Sequence, residues 1–269
     1  KGKRFIRPHH DRSQTVRRET PSQNAPRASA WHAPPMNRFA PLLLLGALAC
    51  GDSSPSTPLD GSVRVDIEET RPGAPPIDVA EELRRVIPVI EKLVASTDVP
   101  ISIDTSKAVV AREAVAAGAE IINDVTGLEG DPEMLSVAKE VQAGICAMHM
   151  QGTPQTMQDA PIYDDVVEDI FGYLQARRDA LLSAGIDRER ICLDPGIGFG
   201  KTHAHNLQLL QSSDRFHRLG CPVLVGHSRK GFIAHLLDDR ECERMSGTVG
   251  AALGLATQGI QIIRVQKEI

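Results

Sequence analysis

The sequence has no Cys-x-x-C pair, no long basic run through its body, and no apolar run of the ~18 residues that a membrane-crossing helix needs. Its five cysteines (Cys50, Cys146, Cys192, Cys221 and Cys242) are scattered, which argues against a zinc site and against a disulfide framework and fits a reducing cytoplasm. Without a basic stripe, and with a formal net charge of -5, the chain carries no electrostatic footprint for nucleic acid. What is present is 269 residues, 41% hydrophobic and 24% charged, enough for a sizeable core. One large α/β barrel is favoured over two small domains.

Charge divides the chain. Residues 1–58 hold nine Lys/Arg against three Asp/Glu, and the remainder is acidic. This first stretch is rich in Arg, Pro, Ser and Ala and shows neither strand nor helix periodicity, so it reads as disordered, with the folded domain taken as 59–269. Within it the apolar run 40–49, ending at Cys50, resembles a bacterial lipoprotein signal, although thirty-five residues precede Met36. Anchoring through Cys50 is therefore the secondary expectation; a mis-started or frame-shifted opening outranks it, and a cytoplasmic protein with no membrane partner is the primary one.

From Val63 onward short β-branched runs alternate with helical stretches, as in βα units around a parallel sheet. The pattern predicts strands at 63–67, 101–103, 120–123, 144–148, 191–193, 223–225 and 261–265, and helices at 80–96, 108–117, 132–141, 164–184, 204–219 and 246–258. Such alternation favours an eightfold barrel over an open doubly wound sheet. Polar residues cluster just after the strands, where a barrel builds its active site: Asp104 and Lys107, Asn123 and Asp124, His149, Asp194, and Ser228 to Lys230.

Asp104 opens Asp-Thr-Ser-Lys after a strand, so its carboxylate can accept from a ligand with paired N–H donors or cap the following helix. Asn123 offers donor and acceptor together, which suits the edge of a heterocycle. Asp194-Pro-Gly-Ile-Gly-Phe-Gly-Lys201 runs a carboxylate into three glycines that let backbone approach a ligand, with Phe199 among them as an exposed ring. The spacing from Gly196 to Gly200 is too short for a nucleotide-binding P-loop. Arg229 and Lys230 are adjacent cations suited to a phosphate or carboxylate, or to a solvated basic turn. Arg71, in Thr70-Arg-Pro-Gly73, precedes a turn from which an arm can close over an anion, and His149 reads equally as packed or catalytic.

Thr70-Arg-Pro-Gly-Ala, Ile101-Ser-Ile-Asp-Thr, Ile121-Ile-Asn-Asp-Val, Met148-His-Met-Gln-Gly-Thr-Pro, Asp194-Pro-Gly-Ile-Gly-Phe-Gly-Lys-Thr and Gly226-His-Ser-Arg-Lys follow one another in the order found in dihydropteroate synthases, and residues 63–265 resemble that family. The resemblance implies a (β/α)8 TIM barrel that condenses 7,8-dihydropterin pyrophosphate with p-aminobenzoate, with Mg²⁺ bound alongside the pyrophosphate. It assigns Asp104, Asn123, Asp194, Lys230 and Met148 to the pterin. Thr70, Arg71, Pro72, Phe199, Ser228 and Arg229 fall to p-aminobenzoate, and Lys230, Arg264 and Arg71 to catalysis. A homodimer is also implied.

The chain departs from the family at both ends. No match to the family's first strand and its metal-binding asparagine is found, so the metal ligand is unknown. Asp66-Ile-Glu-Glu-Thr70 is two residues short, Gln266 replaces a histidine, and the chain stops at Ile269 without an eighth helix. These departures imply an incomplete barrel and impaired activity. Two other readings share the barrel: a pterin-binding methyltransferase domain serving a corrinoid protein, and a non-catalytic pterin-binding remnant.

Overall fold

The computed structural model describes residues 42–46, 63–65, 75–238 and 244–266. Eight parallel strands alternate with helices: β1 (Leu42–Gly46), β2 (Val63–Val65), α1 (Val79–Ser96), β3 (Ile101–Asp104), α2 (Ala108–Ala116), β4 (Ile121–Asp124), α3 (Met134–Glu140), β5 (Gly144–Met148), α4 (Val166–Ser183), β6 (Ile191–Asp194), α5 (His203–Gln211), β7 (Leu224–Gly226), α6 (Gly231–Leu236), α7 (Met245–Thr257) and β8 (Ile262–Gln266). The sheet runs β6-β5-β4-β3-β2-β1-β8-β7. Its two ends meet through a parallel bridge between Leu193 and Val223, and the Leu193 N–H donates to the Pro222 carbonyl at 3.0 Å. The ring therefore closes as a TIM barrel, with the seven sequence-predicted strands in place within one or two residues at each end.

The eighth strand corrects the sequence reading. The apolar run that resembled a lipoprotein signal supplies β1, which pairs with β8 from Leu42↔Ile262 to Gly46↔Gln266 and with β2 at Leu45↔Val63 and Gly46↔Arg64. A slot between β2 and β8 must be filled by some backbone with matching donors and acceptors, and a short aliphatic run can do so without sharing the family's sequence. Cleavage before Cys50 would remove this strand. The single helix expected at 204–219 is split into α5 and a 3-10 turn at Ser213–Leu219, and α6 was not anticipated, being only six residues long.

Amphipathic helices close the outside of the sheet. In α4, Ile170, Leu174 and Leu181 are fully buried on one face, each contributing roughly 1.5–3 kcal/mol of transfer free energy. Asp165 caps this helix by accepting from the Val167 and Glu168 N–H groups. Inside the ring, Ile121, Cys146, Cys192, Leu224 and Ile262 form a small apolar cluster. That placement explains two of the scattered thiols: Cys146 and Cys192 are free, buried core residues.

Candidate active site

Alternation along each strand turns residues two apart toward the same side, so the apolar cluster and the polar residues that follow it form successive layers inside the barrel. One residue on from Ile103, Asp104 ends β3; Asn123 lies on β4, Asp194 ends β6 and Arg264 lies on β8. All four are less than a tenth exposed. They bond to one another in a chain. Arg64 Nε lies 3.1 Å from Asp104 Oδ2, which also accepts from Asn123 Nδ2 at 2.8 Å. Asn123 Oδ1 accepts from Arg264 Nη1 at 3.3 Å, and Arg264 Nη2 donates to Asp194 Oδ2 at 3.0 Å. The Gly196 N–H completes the chain on Asp194 Oδ1 at 2.7 Å. Two buried carboxylates thus face two guanidiniums, with an amide between them whose orientation the network fixes. Gly226 makes room for this: a Cβ there would come within 2.6 Å of Arg264 Nη2.

The loop after β6 turns back over this floor. Gly196, Gly198 and Gly200 adopt positive φ angles of 70°, 83° and 62°, and a Cβ on Gly196 would overlap the His149 carbonyl at 1.9 Å, so only glycine fits there. Lys230, after β7, directs its ammonium inward, donating to the Ile197 carbonyl and lying 4.7 Å from the centre of the Phe199 ring. Burial pulls this ammonium down to about 7, with Arg264 and Arg64 pushing the same way and Asp194 opposing. The Phe199 ring is half-buried beneath the lysine rather than fully exposed.

Met148 is buried at the end of β5, its Cγ close to Gly196. Ser228 Oγ accepts from the Gln266 N–H at 3.1 Å and so ties the β7 loop to β8. Arg229 has a φ of 55°, with its N–H on Thr248 Oγ1 at 3.0 Å. Thr70, Arg71 and Pro72 lie outside the described residues. The helix-cap reading of Asp104 fails, because α2 starts at Ala108 with Lys107 in the cap position. Lys107 instead pairs with Glu82 of α1 at 2.6 Å, and Glu82 also accepts from Thr105 at 2.6 Å, bracing the residue after Asp104. Asp124 points away from the floor and accepts from the Thr126 N–H and hydroxyl at 2.8 and 2.7 Å. Burial raises its carboxyl to about 6.

His149 is packed. Tyr173 meets it edge-on at 4.8 Å, and Lys201 Nζ lies 3.0 Å from its Nδ1. Burial first, then the Lys201 charge, depress it to about 3, which leaves a neutral ring at physiological pH. Sequence reasoning missed Arg64 and Glu82 as partners of the site. Arg64 had a signal, since an arginine between two valines in a short strand shares the parity of inward-facing positions.

The sequence profile of the pterin binding enzyme family matches residues 60–266. The dihydropteroate synthase of Escherichia coli K12 is 46% identical over 207 residues, covering 76% of this chain and 73% of its own. Among solved structures, Xanthomonas albilineans dihydropteroate synthase with 4-aminobenzoic acid superposes with a TM-score of 0.71 at 47% identity, covering 76% of this chain and 72% of that one. The same enzyme in complex with 7,8-dihydropteroate gives 0.67 at 44% identity, covering 76% and 74%. A barrel with this polar floor, matched over three quarters of its length, belongs to the pterin-binding enzyme family and, within it, to the dihydropteroate synthases.

Proposed function

We propose that the chain joins 7,8-dihydropterin pyrophosphate to p-aminobenzoate, releasing dihydropteroate and pyrophosphate, and that the floor from Arg64 to Asp194 is its pterin subsite. The observation that carries the reading is the linked chain Asp104–Asn123–Arg264–Asp194, because a pterin presents N–H donors and ring acceptors along one edge and this set offers both. Relatives with 4-aminobenzoic acid or 7,8-dihydropteroate bound support the synthase over a methyltransferase or an inert remnant.

In this reading Asp104 and Asp194 accept from the pterin N–H groups, and Asn123 and Lys230 face its acceptors. Met148 packs near the ring. The bond between the pterin methylene carbon and the pyrophosphate oxygen breaks with its electron pair on the leaving group. The aryl amine then forms the new C–N bond and loses a proton to solvent. Charge on the departing pyrophosphate is what must be stabilised, and a preorganised cation in a partly dry site does that better than a base. Arg264 suits this role, since the two hydrogen bonds to Asn123 and Asp194 leave further guanidinium N–H groups for the pyrophosphate. Arg71 is proposed to assist from its arm, while Thr70, Pro72, Phe199, Ser228 and Arg229 frame p-aminobenzoate.

Mg²⁺ is proposed to arrive with the pyrophosphate, where it would neutralise phosphate charge. The described residues do not fit a protein-held ion. They contain no group of three or more His, Cys, Asp or Glu side chains placed to hold a metal ion, and Asp104 and Asp194 are each engaged by a guanidinium. No step above is routed through the metal.

We further propose a cytoplasmic homodimer. Supporting it, α6 and α7 expose Leu236, Leu237, Val249 and Leu253, each at least half exposed. No helix among the described residues is long and apolar enough to cross a membrane. Product formation from the two substrates, followed by chromatography, tests the activity: a rate indistinguishable from the uncatalysed one would sink it. Sedimentation tests the assembly, with the dimer expected and a monomer at all concentrations refuting it.

A further inference from the structure

Four successive carbonyls of the β6 loop are each taken by a side chain. Lys230 Nζ donates to Ile197 O, Gln158 Nε2 to Gly198 O at 2.9 Å, Lys201 Nζ to Phe199 O at 2.8 Å, and the Tyr163 hydroxyl to Gly200 O at 2.7 Å. The segment needs such tethers. Three glycines with left-handed φ would otherwise leave it free to wander, since glycine restricts the backbone least.

Lys201 is the unusual member of the set. Its side chain is buried, the residue being only 3% exposed, and among the described residues no carboxylate pairs with it at contact distance, Asp194 acting on it only from further off. Its ammonium spans the Phe199 carbonyl, His149 Nδ1 at 3.0 Å and the His149 carbonyl at 3.4 Å. A buried ammonium is costly to keep, and burial pulls this one well below lysine's ordinary value. A neutral residue would fold more cheaply unless these bonds did something. What they do is join the end of β5 to the loop of β6 at Phe199, whose ring faces the Lys230 ammonium at 4.7 Å. With its value pulled down to about 3 the His149 ring is neutral, and its Nδ1 can accept from the Lys201 nitrogen as a strut.

We propose that Lys201 is a positioning residue: by fixing the Phe199 carbonyl between the ends of β5 and β6, it sets the ring against which p-aminobenzoate binds and so governs the second substrate more than the pterin. This rests on the synthase reading and deepens it. Lys201 makes no hydrogen bond to the pterin floor, and the Asp194 charge reaches it only through space. Its nearest bonded partners are His149 and Phe199, whereas the Asp194–Arg264 pair is held by separate bonds.

The test is steady-state kinetics on Lys201→Met, which keeps chain length and removes the donors, with Lys201→Gln as a variant that retains an N–H donor. Hydrogen exchange is measured over 196–201 and over the β5 strand in parallel. The expected result for Lys201→Met is a KM for p-aminobenzoate raised about tenfold, with the KM for dihydropterin pyrophosphate within about twofold of the parent. Amide exchange over 196–201 should quicken at least about fivefold while β5 stays protected, and Lys201→Gln should recover part of both effects. A folded Lys201→Met with unchanged p-aminobenzoate KM and unchanged exchange overturns the proposal, as does an equal loss for both substrates. Should Lys201→Met fail to fold, the same comparison on Lys201→Gln decides. A parent protein that makes no product would count against the synthase reading. The exchange contrast would then still decide the tether, and equal rates in parent and variant would refute it.

Discussion

The floor of the barrel and the rim above it are held by different means. On the floor, side chains bond to side chains: Arg64, Asp104, Asn123, Arg264 and Asp194 form one chain carried on five strands whose backbones are fixed by the sheet. On the rim, side chains bond to backbone. The Ile197 to Gly200 carbonyls, the Arg229 N–H and the Gln266 N–H are each held by a side chain. A ligand that reads donor and acceptor patterns needs the first arrangement, because strand-borne groups hold their geometry before it arrives. A second substrate that enters later can use the second, whose pieces can shift.

If that distinction is right, damage to the floor costs most. Replacing Arg264 with methionine removes the guanidinium bonded to Asp194, in a pair buried at 8% and 1% side-chain exposure, and leaves that carboxylate only the Gly196 N–H and the more distant lysine charges. The expected loss is about 3–5 kcal/mol of stability in denaturant melts, together with about a thousandfold drop in kcat. A loss below tenfold in kcat would break the comparison, because the floor would then be no more preorganised than the rim.

Lys230 stands between the two regions: its ammonium donates to the Ile197 carbonyl of the rim and feels the charges of Arg264, Asp194 and Arg64 on the floor. Its folded pKa of about 7 lies below the unfolded value of about 10.4, so the unfolded chain binds more protons between those values. Stability therefore rises with pH across that window, and the cationic form needed to face a pterin acceptor is lost over the same range. kcat/KM for the pterin substrate should fall as pH rises past about 7, and Lys230→Arg should move that limb upward. A flat profile from about pH 6 to about pH 9 would separate Lys230 from pterin binding.

The smallest effect is expected at Arg64. Its guanidinium engages the carboxylate that the pterin N–H groups are proposed to use, so Arg64→Leu should tighten pterin binding by about threefold while costing about 1 kcal/mol of stability. Weaker binding would mean that Arg64 is part of the recognition surface rather than a competitor for it.

The floor was legible in the sequence and the rim was only partly so, for the same physical reason. Asp104, Asn123 and Asp194 follow β-branched runs whose period places them at strand ends, and the barrel converges such ends. Nothing local shows that Tyr163 and Gln158 reach the glycine loop, since those bonds join residues 37 and 40 positions apart through tertiary packing, and Lys201 meets His149 across 52 positions. β1 was misread because an aliphatic run before a cysteine has the same composition as an export signal. Only its parallel pairing with β8 and β2 distinguishes the two. α6 escaped because six residues give too little periodicity to detect. Thr70, Arg71 and Pro72 carry part of the family pattern but lie outside the described residues, so their place against the floor rests on the resemblance.

The most direct test of the central claim is calorimetric binding of dihydropterin pyrophosphate, with and without Mg²⁺, to the parent chain and to Asp194→Ala. The account predicts saturable binding by the parent and a loss of at least about a hundredfold in the variant, because the substitution removes the acceptor and strands Arg264 without its carboxylate. Equal affinity for the two folded proteins would contradict it, and the pterin subsite would have to lie elsewhere.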